Sequence, residues 1–176
     1  MNLASRNVSK PLDWQVAVFA LAGFWLSASL LLDFLIMPSM YGAGMMNQPD
    51  FGSMGYSLFW VFNRVELLCA AGILTGVLAL RQGRNQFSLF NSGSKSRWAV
   101  GLSGLLLAIA MAYTYFLAPE MSALSLPLDS FQSATEVIPA GMNQLHGFYW
   151  LLEVLKLAAV GLLLGFCYHD VATAES

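Results

Sequence analysis

The residues in this chain that could support chemistry lie in its last apolar segment. Positions three or four apart share one face of an α-helix, and four polar residues follow that spacing here: His146, Tyr149, Glu153 and Lys156. The rest of the segment, 144–168, is apolar and long enough to cross a bilayer. Ionisable groups at membrane depth are costly and usually face a protein interior or a water-filled cavity. We therefore expect the remainder of the chain to provide that interior.

The composition predicts a membrane protein. The 176-residue chain is 57% hydrophobic and 10% charged, whereas soluble domains carry about 25% charged residues. Four apolar runs approach the roughly 20 residues that cross a hydrocarbon core, at about 14–37, 57–80, 98–118 and 145–168. We predict an all-α fold, in which residues 1–176 form one four-span transmembrane domain folded as a four-helix bundle.

The distribution of positive charge predicts the topology. Lys and Arg precede the first span and occur between spans 2 and 3, whereas the loops at 38–56 and 119–143 contain neither. Cytoplasmic loops carry the excess of Lys and Arg, so we place both termini in the cytoplasm (N-in, C-in). The predicted location is a cytoplasmic or another energy-transducing membrane. The net charge of −2 gives no reason to expect a nucleic-acid partner.

Further polar residues lie inside spans 1 and 2. Asn63, Arg64 and Glu66 lie in span 2, and Asp33 lies near the end of span 1. One unpaired charge at the centre of a span costs about 2.5–3.5 kcal/mol, so we expect these groups to pair. Arg64 points about 200° away from Glu66 on a helix, so we expect it to pair with a carboxylate on another helix. The predicted polar core comprises Arg64, Glu66, His146, Glu153, Lys156, Asn63 and Asp33.

The two halves of the chain also resemble each other. FLIMPSM at 34–40 aligns with YFLAPEM at 115–121, with a proline at the fifth position of each. In the spans that follow, Glu66 aligns with Glu153 when the offset between the two halves is six residues larger than in the first alignment. Both of those spans carry Gly-x-x-x-Gly, a groove for close helix packing, at Gly72/Gly76 and Gly161/Gly165. We predict two parallel-repeat helical hairpins, with the two glutamates at the same depth.

Three classes of function are consistent with such a core. It could form a binding or transport path for ions or protons. Because four helices are few for a transporter, that path would require a homo-oligomer or a membrane-protein partner in the lipid bilayer. It could also be a structural clasp that only holds the four helices together. A non-catalytic assembly or scaffold protein, which would use the small-residue grooves and the outer loops, is a further class. We predict a binding, transport or assembly component of unestablished activity rather than an enzyme.

The alternative is a membrane-bound, metal- or haem-dependent redox enzyme. His146, Glu66 and Glu153 are the residues that could ligate a metal in its core. Methionine thioethers suit Cu(I), and a cluster near the first loop offers weak candidates for a copper site: Met37, Met40, Met45 and Met46. The sequence does not identify a cofactor.

Three short motifs resemble the transmembrane-protein-205-like family of small four-helix membrane proteins. They are MPSM at 37–40, APEM at 118–121, and Leu145-His146-Gly147 at the start of the last span. The resemblance extends over most of the chain and implies four spans and no established chemistry.

Overall fold

The computed structural model describes residues 14–45, 51–82, 93–125 and 141–174, and the regular structure within these ranges is helical. Helix 1 comprises an α-helix, a π-helical turn and a second α-helical segment: Trp14–Leu31, Leu32–Ile36 and Met37–Gly42. Helix 3 has the same three parts: Gly93–Ala112, Tyr113–Leu117 and Ala118–Ser125. Helices 2 and 4 are continuous α-helices: Phe51–Gln82 and Met142–Ala174.

All four helices are long and apolar enough to cross a membrane, as predicted. They are longer than the predicted spans: helix 2 begins at Phe51, inside the predicted loop 38–56, and residues 38–42 and 119–125, which the sequence also assigned to loops, are helical. The prediction was wrong there because Pro38 and Pro119 do not end the helices. Each proline follows a π-helical turn, which changes the geometry that normally makes proline a helix breaker.

The π-helical turns occupy equivalent positions in helices 1 and 3. In the first turn the Met37 N–H donates to the Leu32 carbonyl, and in the second the Ala118 N–H donates to the Tyr113 carbonyl. Both are i→i−5 bonds, so each turn holds one more residue than an α-helical turn. The added residue allows two successive side chains of helix 1, Leu32 and Asp33, to be buried together.

The four helices form an up-and-down bundle with a square arrangement. Helices 1 and 3 each pack against helices 2 and 4, and the diagonal pairs of described helices make no close backbone contact. We call the end where helices 1 and 3 finish the distal end, and the opposite one the proximal end. Apolar side chains fill the proximal half: Val18, Ala22, Ile73, Val77, Ala99, Leu106, Val160 and Leu163.

Two glycines of helix 2 allow helix 1 to approach closely. A Cβ atom at Gly72 would lie 2.7 Å from Cδ1 of Leu21, and one at Gly76 would overlap Cγ2 of Val18. The second Gly-x-x-x-Gly differs, because a Cβ at Gly161 or Gly165 would meet no atom within 4 Å. Only the helix 2 motif therefore forms a packing groove among the described residues.

This difference gives a matched pair of variants. We expect Gly76→Ala to destabilise the bundle by about 1–3 kcal/mol, because the valine at position 18 is branched at Cβ and has few rotamers with which to yield. Gly161→Ala adds the same methyl group in open space and should leave stability unchanged or slightly raised. Unfolding of the two purified variants in detergent measures both effects, and equal stability would contradict this account of the groove.

Candidate functional site

The ammonium group of Lys156 lies at the centre of the bundle. Its Nζ is 2.5 Å from Oε1 of Glu66 and 2.8 Å from Oε2 of Glu153, and all three side chains are 1% exposed. Glu153 precedes Lys156 by one turn on helix 4, whereas Glu66 lies on the diagonally opposite helix 2. The ion pair therefore crosses the interior between two helices whose backbones do not touch.

Helix 1 fixes the carboxylate of Glu66. Trp25 donates its indole N–H to Oε1 of Glu66 at 2.8 Å, and the Ser29 hydroxyl donates to the same oxygen at 3.3 Å. Trp25 and Ser29 are four positions apart and both buried, so they share the inward face of helix 1. With Lys156, this oxygen accepts from three donors, two of them on side chains that packing holds in place.

Helix 3 contributes Tyr113 to the carboxylate of Glu153. The Tyr113 hydroxyl lies 3.0 Å from Oε2 of Glu153 and 3.3 Å from the Tyr149 carbonyl oxygen. The ring of Tyr113 also lies 5.3 Å from Nζ of Lys156, within the range of a cation–π contact. The other oxygen of Glu153, Oε1, is buried and has no hydrogen-bond partner among the described residues.

Asp33 brings a third carboxyl group to the site from the π-helical turn of helix 1. It is 7% exposed, and its Oδ1 accepts a 3.2 Å hydrogen bond from the Tyr149 hydroxyl. Its Oδ2 is buried and, like Oε1 of Glu153, has no hydrogen-bond partner in the part of the chain that the structure describes. The carboxyl groups of Asp33 and Glu153 face each other within hydrogen-bonding reach.

The charges of this cluster do not balance. The buried ionisable side chains of the described interior include three acidic groups and one basic group: Asp33, Glu66, Glu153 and Lys156. If all four are ionised, the cluster carries two excess negative charges in an apolar bundle. Isolated buried charge is costly, and unsatisfied carboxylate oxygens add to that cost. The arrangement is suited to taking up positive charge.

The structure brings together four of the seven residues of the predicted polar core: Asp33, Glu66, Glu153 and Lys156. Asn63 is buried one turn from Glu66, and its backbone carbonyl accepts a 3.4 Å hydrogen bond from Thr114.

Arg64 and His146 are the exceptions. The Arg64 guanidinium lies on the exposed face of helix 2, donates to the Trp60 carbonyl at 3.2 Å and stacks 3.5 Å from the centre of the Trp60 ring. The expected pairing of Arg64 with a carboxylate is corrected: because Glu66 points inward, the 200° offset turns Arg64 outward. His146 is exposed, and its Nδ1 lies 3.0 Å from the Met142 carbonyl.

The structure separates His146 from the two glutamates with which it was predicted to ligate a metal. His146 does not approach Glu66 or Glu153, and among the described residues no group of three or more His, Cys, Asp and Glu side chains could hold a metal ion. Met37 and Met40 lie on the last segment of helix 1 and Met45 in the turn that follows it. Met46 lies outside the described residues, so the copper site stays a prediction.

Three residues of the cluster were absent from the sequence prediction: Trp25, Ser29 and Tyr113. Trp25 and Ser29 continue to Asp33 at steps of four, so a search for polar atoms on one face of helix 1 would have found them. Tyr113 gives no such signal, since its role depends on the fold bringing it to Glu153.

Comparisons with protein-family models, with curated proteins and with solved structures found no match.

Removing the central cation should destabilise the protein more than removing the exposed one. We expect Lys156→Met to cost about 3–5 kcal/mol, because it leaves two buried carboxylates without their counter-charge. Arg64→Met is the matched control and should change stability by about 0.5 kcal/mol or less. Adding Glu66→Gln to Lys156→Met should recover part of the loss. Unfolding in detergent tests this order, and equal effects of the two single variants would refute it.

Proposed function

We propose that this chain is a small polytopic membrane protein whose polar core binds positive charge, as a binding or transport component for protons or a monovalent cation. The observation that supports this proposal best is the charge imbalance of the cluster: three buried carboxyl groups surround one ammonium group. Ionisable residues inside transmembrane helices commonly mark ion paths and proton relays.

A purely structural clasp would account for only half of the cluster. The ion pair between Glu66 and Lys156 is by itself enough to link helices 2 and 4. Oε1 of Glu66 is fully hydrogen-bonded, because it accepts from Lys156, Trp25 and Ser29. Asp33 and Glu153 add two further buried acidic groups and, within the described part of the chain, two carboxyl oxygens without partners. Because such atoms cost stability, their presence favours a binding role over a clasp.

The proposed setting is a cytoplasmic or another energy-transducing membrane, with the proximal end and both termini in the cytoplasm. Four sufficiently long apolar helices and the positive charge near the proximal end support this topology. The distal end would then face outward. The resemblance to the transmembrane-protein-205-like family agrees with four spans and adds no chemistry.

We also propose that the two hairpins are parallel repeats. The π-helical turns of helices 1 and 3 support this, because they lie at aligned positions and each precedes a proline. Buried positions follow the same alignment, with Val18, Ala22, Trp25 and Leu32 corresponding to Ala99, Ser103, Leu106 and Tyr113. In this arrangement Glu66 and Glu153 are counterparts that share one ammonium group.

In the described part of the chain, the cluster is accessible from the distal end of the bundle but not from the proximal end, which favours binding of a cation over its transport through a single chain. Tyr149, on the distal side, is partly exposed and contacts Asp33. The proximal half below the cluster is lined mainly by buried apolar side chains. Buried Gln15, Ser96 and Ser103 interrupt this lining. The Ser103 hydroxyl donates to the Val100 carbonyl of its own helix, and the Gln15 amide donates to the Cys167 carbonyl. Transport would therefore require a second copy or a membrane-protein partner.

The redox alternative is not favoured by any observation. Its ligand set combined His146 with Glu66 and Glu153, and the structure leaves the histidine exposed and away from them.

Thermal unfolding of the detergent-purified protein tests the proposed function. A ligand that binds the folded state raises its stability with the ligand concentration. We expect the melting temperature to depend on pH, or on Na⁺, K⁺ or Li⁺ at constant ionic strength, and Glu153→Gln to lose most of that dependence. Glu120→Gln makes the same change at an exposed position and should retain it. Identical profiles for wild type and Glu153→Gln would leave the core as a clasp.

A further inference from the structure

We infer that the carboxyl groups of Asp33 and Glu153 together hold one exchangeable proton, taken up from the distal end, while Glu66 and Lys156 form a fixed ion pair beside them. This inference rests on the proposed function and names its ligand and the atoms that bind it.

The first step concerns the two oxygens without partners. Oδ2 of Asp33 and Oε1 of Glu153 are buried, and each is the second oxygen of a carboxyl group whose first oxygen is hydrogen-bonded. The two carboxyl groups face each other within hydrogen-bonding reach. Two ionised carboxylates at such a distance repel each other, whereas one proton between them provides a donor and removes one charge.

The second step concerns the type of ligand. A metal cation needs several ligands, six to eight oxygens for Ca²⁺ and an octahedral set for Mg²⁺. The described residues provide no group of three or more His, Cys, Asp and Glu side chains at metal-binding distances. A proton needs only the two carboxyl groups, so the pair fits a proton better than a metal ion.

The third step separates this pair from Glu66. Oε1 of Glu66 accepts from Lys156, Trp25 and Ser29, so its negative charge is already compensated. Within the described ranges, Oε2 of Glu153 accepts from Lys156 and Tyr113 only, and its other oxygen accepts from none. The carboxylate of Glu66 therefore suits a permanent counter-ion, and the unpartnered oxygens suit a site that gains and loses a proton.

The fourth step concerns the surroundings of the pair and its access. The groups that face it are the Tyr149 hydroxyl and the Lys156 ammonium from helix 4, and the Tyr113 hydroxyl from helix 3. Glu66 of helix 2 lies beyond the ammonium. Tyr149 is the partly exposed member of this set, and its ring packs edge-on against Phe59 near the distal end. Proton exchange is therefore expected past Tyr149.

Infrared difference spectroscopy of the purified full-length protein tests the inference. Exposed carboxyl groups are ionised above about pH 6, so spectra between pH 6 and 10 should show the loss of one buried protonated-carboxyl C=O band. Carbon-13 labelling of aspartate alone and of glutamate alone should each shift that band in the wild type. The band should be absent from Asp33→Asn and Glu153→Gln and should persist in Glu66→Gln and Glu120→Gln.

The labelled wild-type protein keeps the test decisive if a variant fails to fold. A band that responds to neither the aspartate label nor the glutamate label would overturn the inference, as would a band that disappears in Glu66→Gln while persisting in Asp33→Asn. If melting still depends on pH or cations in that case, the proposed function survives and only the assignment of the proton fails. If melting depends on neither and no band appears, both fail.

Discussion

The ammonium group of Lys156 joins the two helices that the bundle keeps furthest apart. Helices 2 and 4 lie on a diagonal without close backbone contact, so only long side chains meet between them. Lys156 reaches both Glu66 and Glu153 there, and both carboxylates are buried almost completely. The other polar contacts of the cluster orient these two glutamates, apart from the Tyr149 hydroxyl, which donates to Asp33 beside them. Trp25 fixes the first, and Tyr113 fixes the second.

The two halves of the bundle differ in how they are held together. In the proximal half, Gly72 and Gly76 let helix 1 approach helix 2 closely, and aliphatic side chains fill the centre. In the distal half, the π-helical turns of helices 1 and 3 each insert an additional residue. These turns place Asp33 and Tyr113 in the interior, at the level of Glu66 and Glu153. Close apolar packing in one half thus accompanies a buried polar cluster in the other.

Buried polar groups in stable interiors are normally hydrogen-bonded. The cluster follows this rule at Oε1 of Glu66 and breaks it at Oδ2 of Asp33 and Oε1 of Glu153. Local departures from the rules of folding tend to occur where function requires them. The same cluster therefore combines a satisfied ion pair, which stabilises the fold, with an acidic pair whose oxygens can accept a proton.

The sequence by itself determined the number of long apolar helices and the position of each acid along its helix, because apolar length and helical periodicity are local properties. It also determined that Glu153 and Lys156 share a face of helix 4. It did not determine how each helix is rotated about its axis, which depends on packing against its neighbours. Only the tertiary structure could therefore turn Arg64 outward and bring Tyr113 to Glu153. The continuation of the helices past their prolines was likewise decided by the π-helical turns, whose wider hydrogen bonds no local pattern specified.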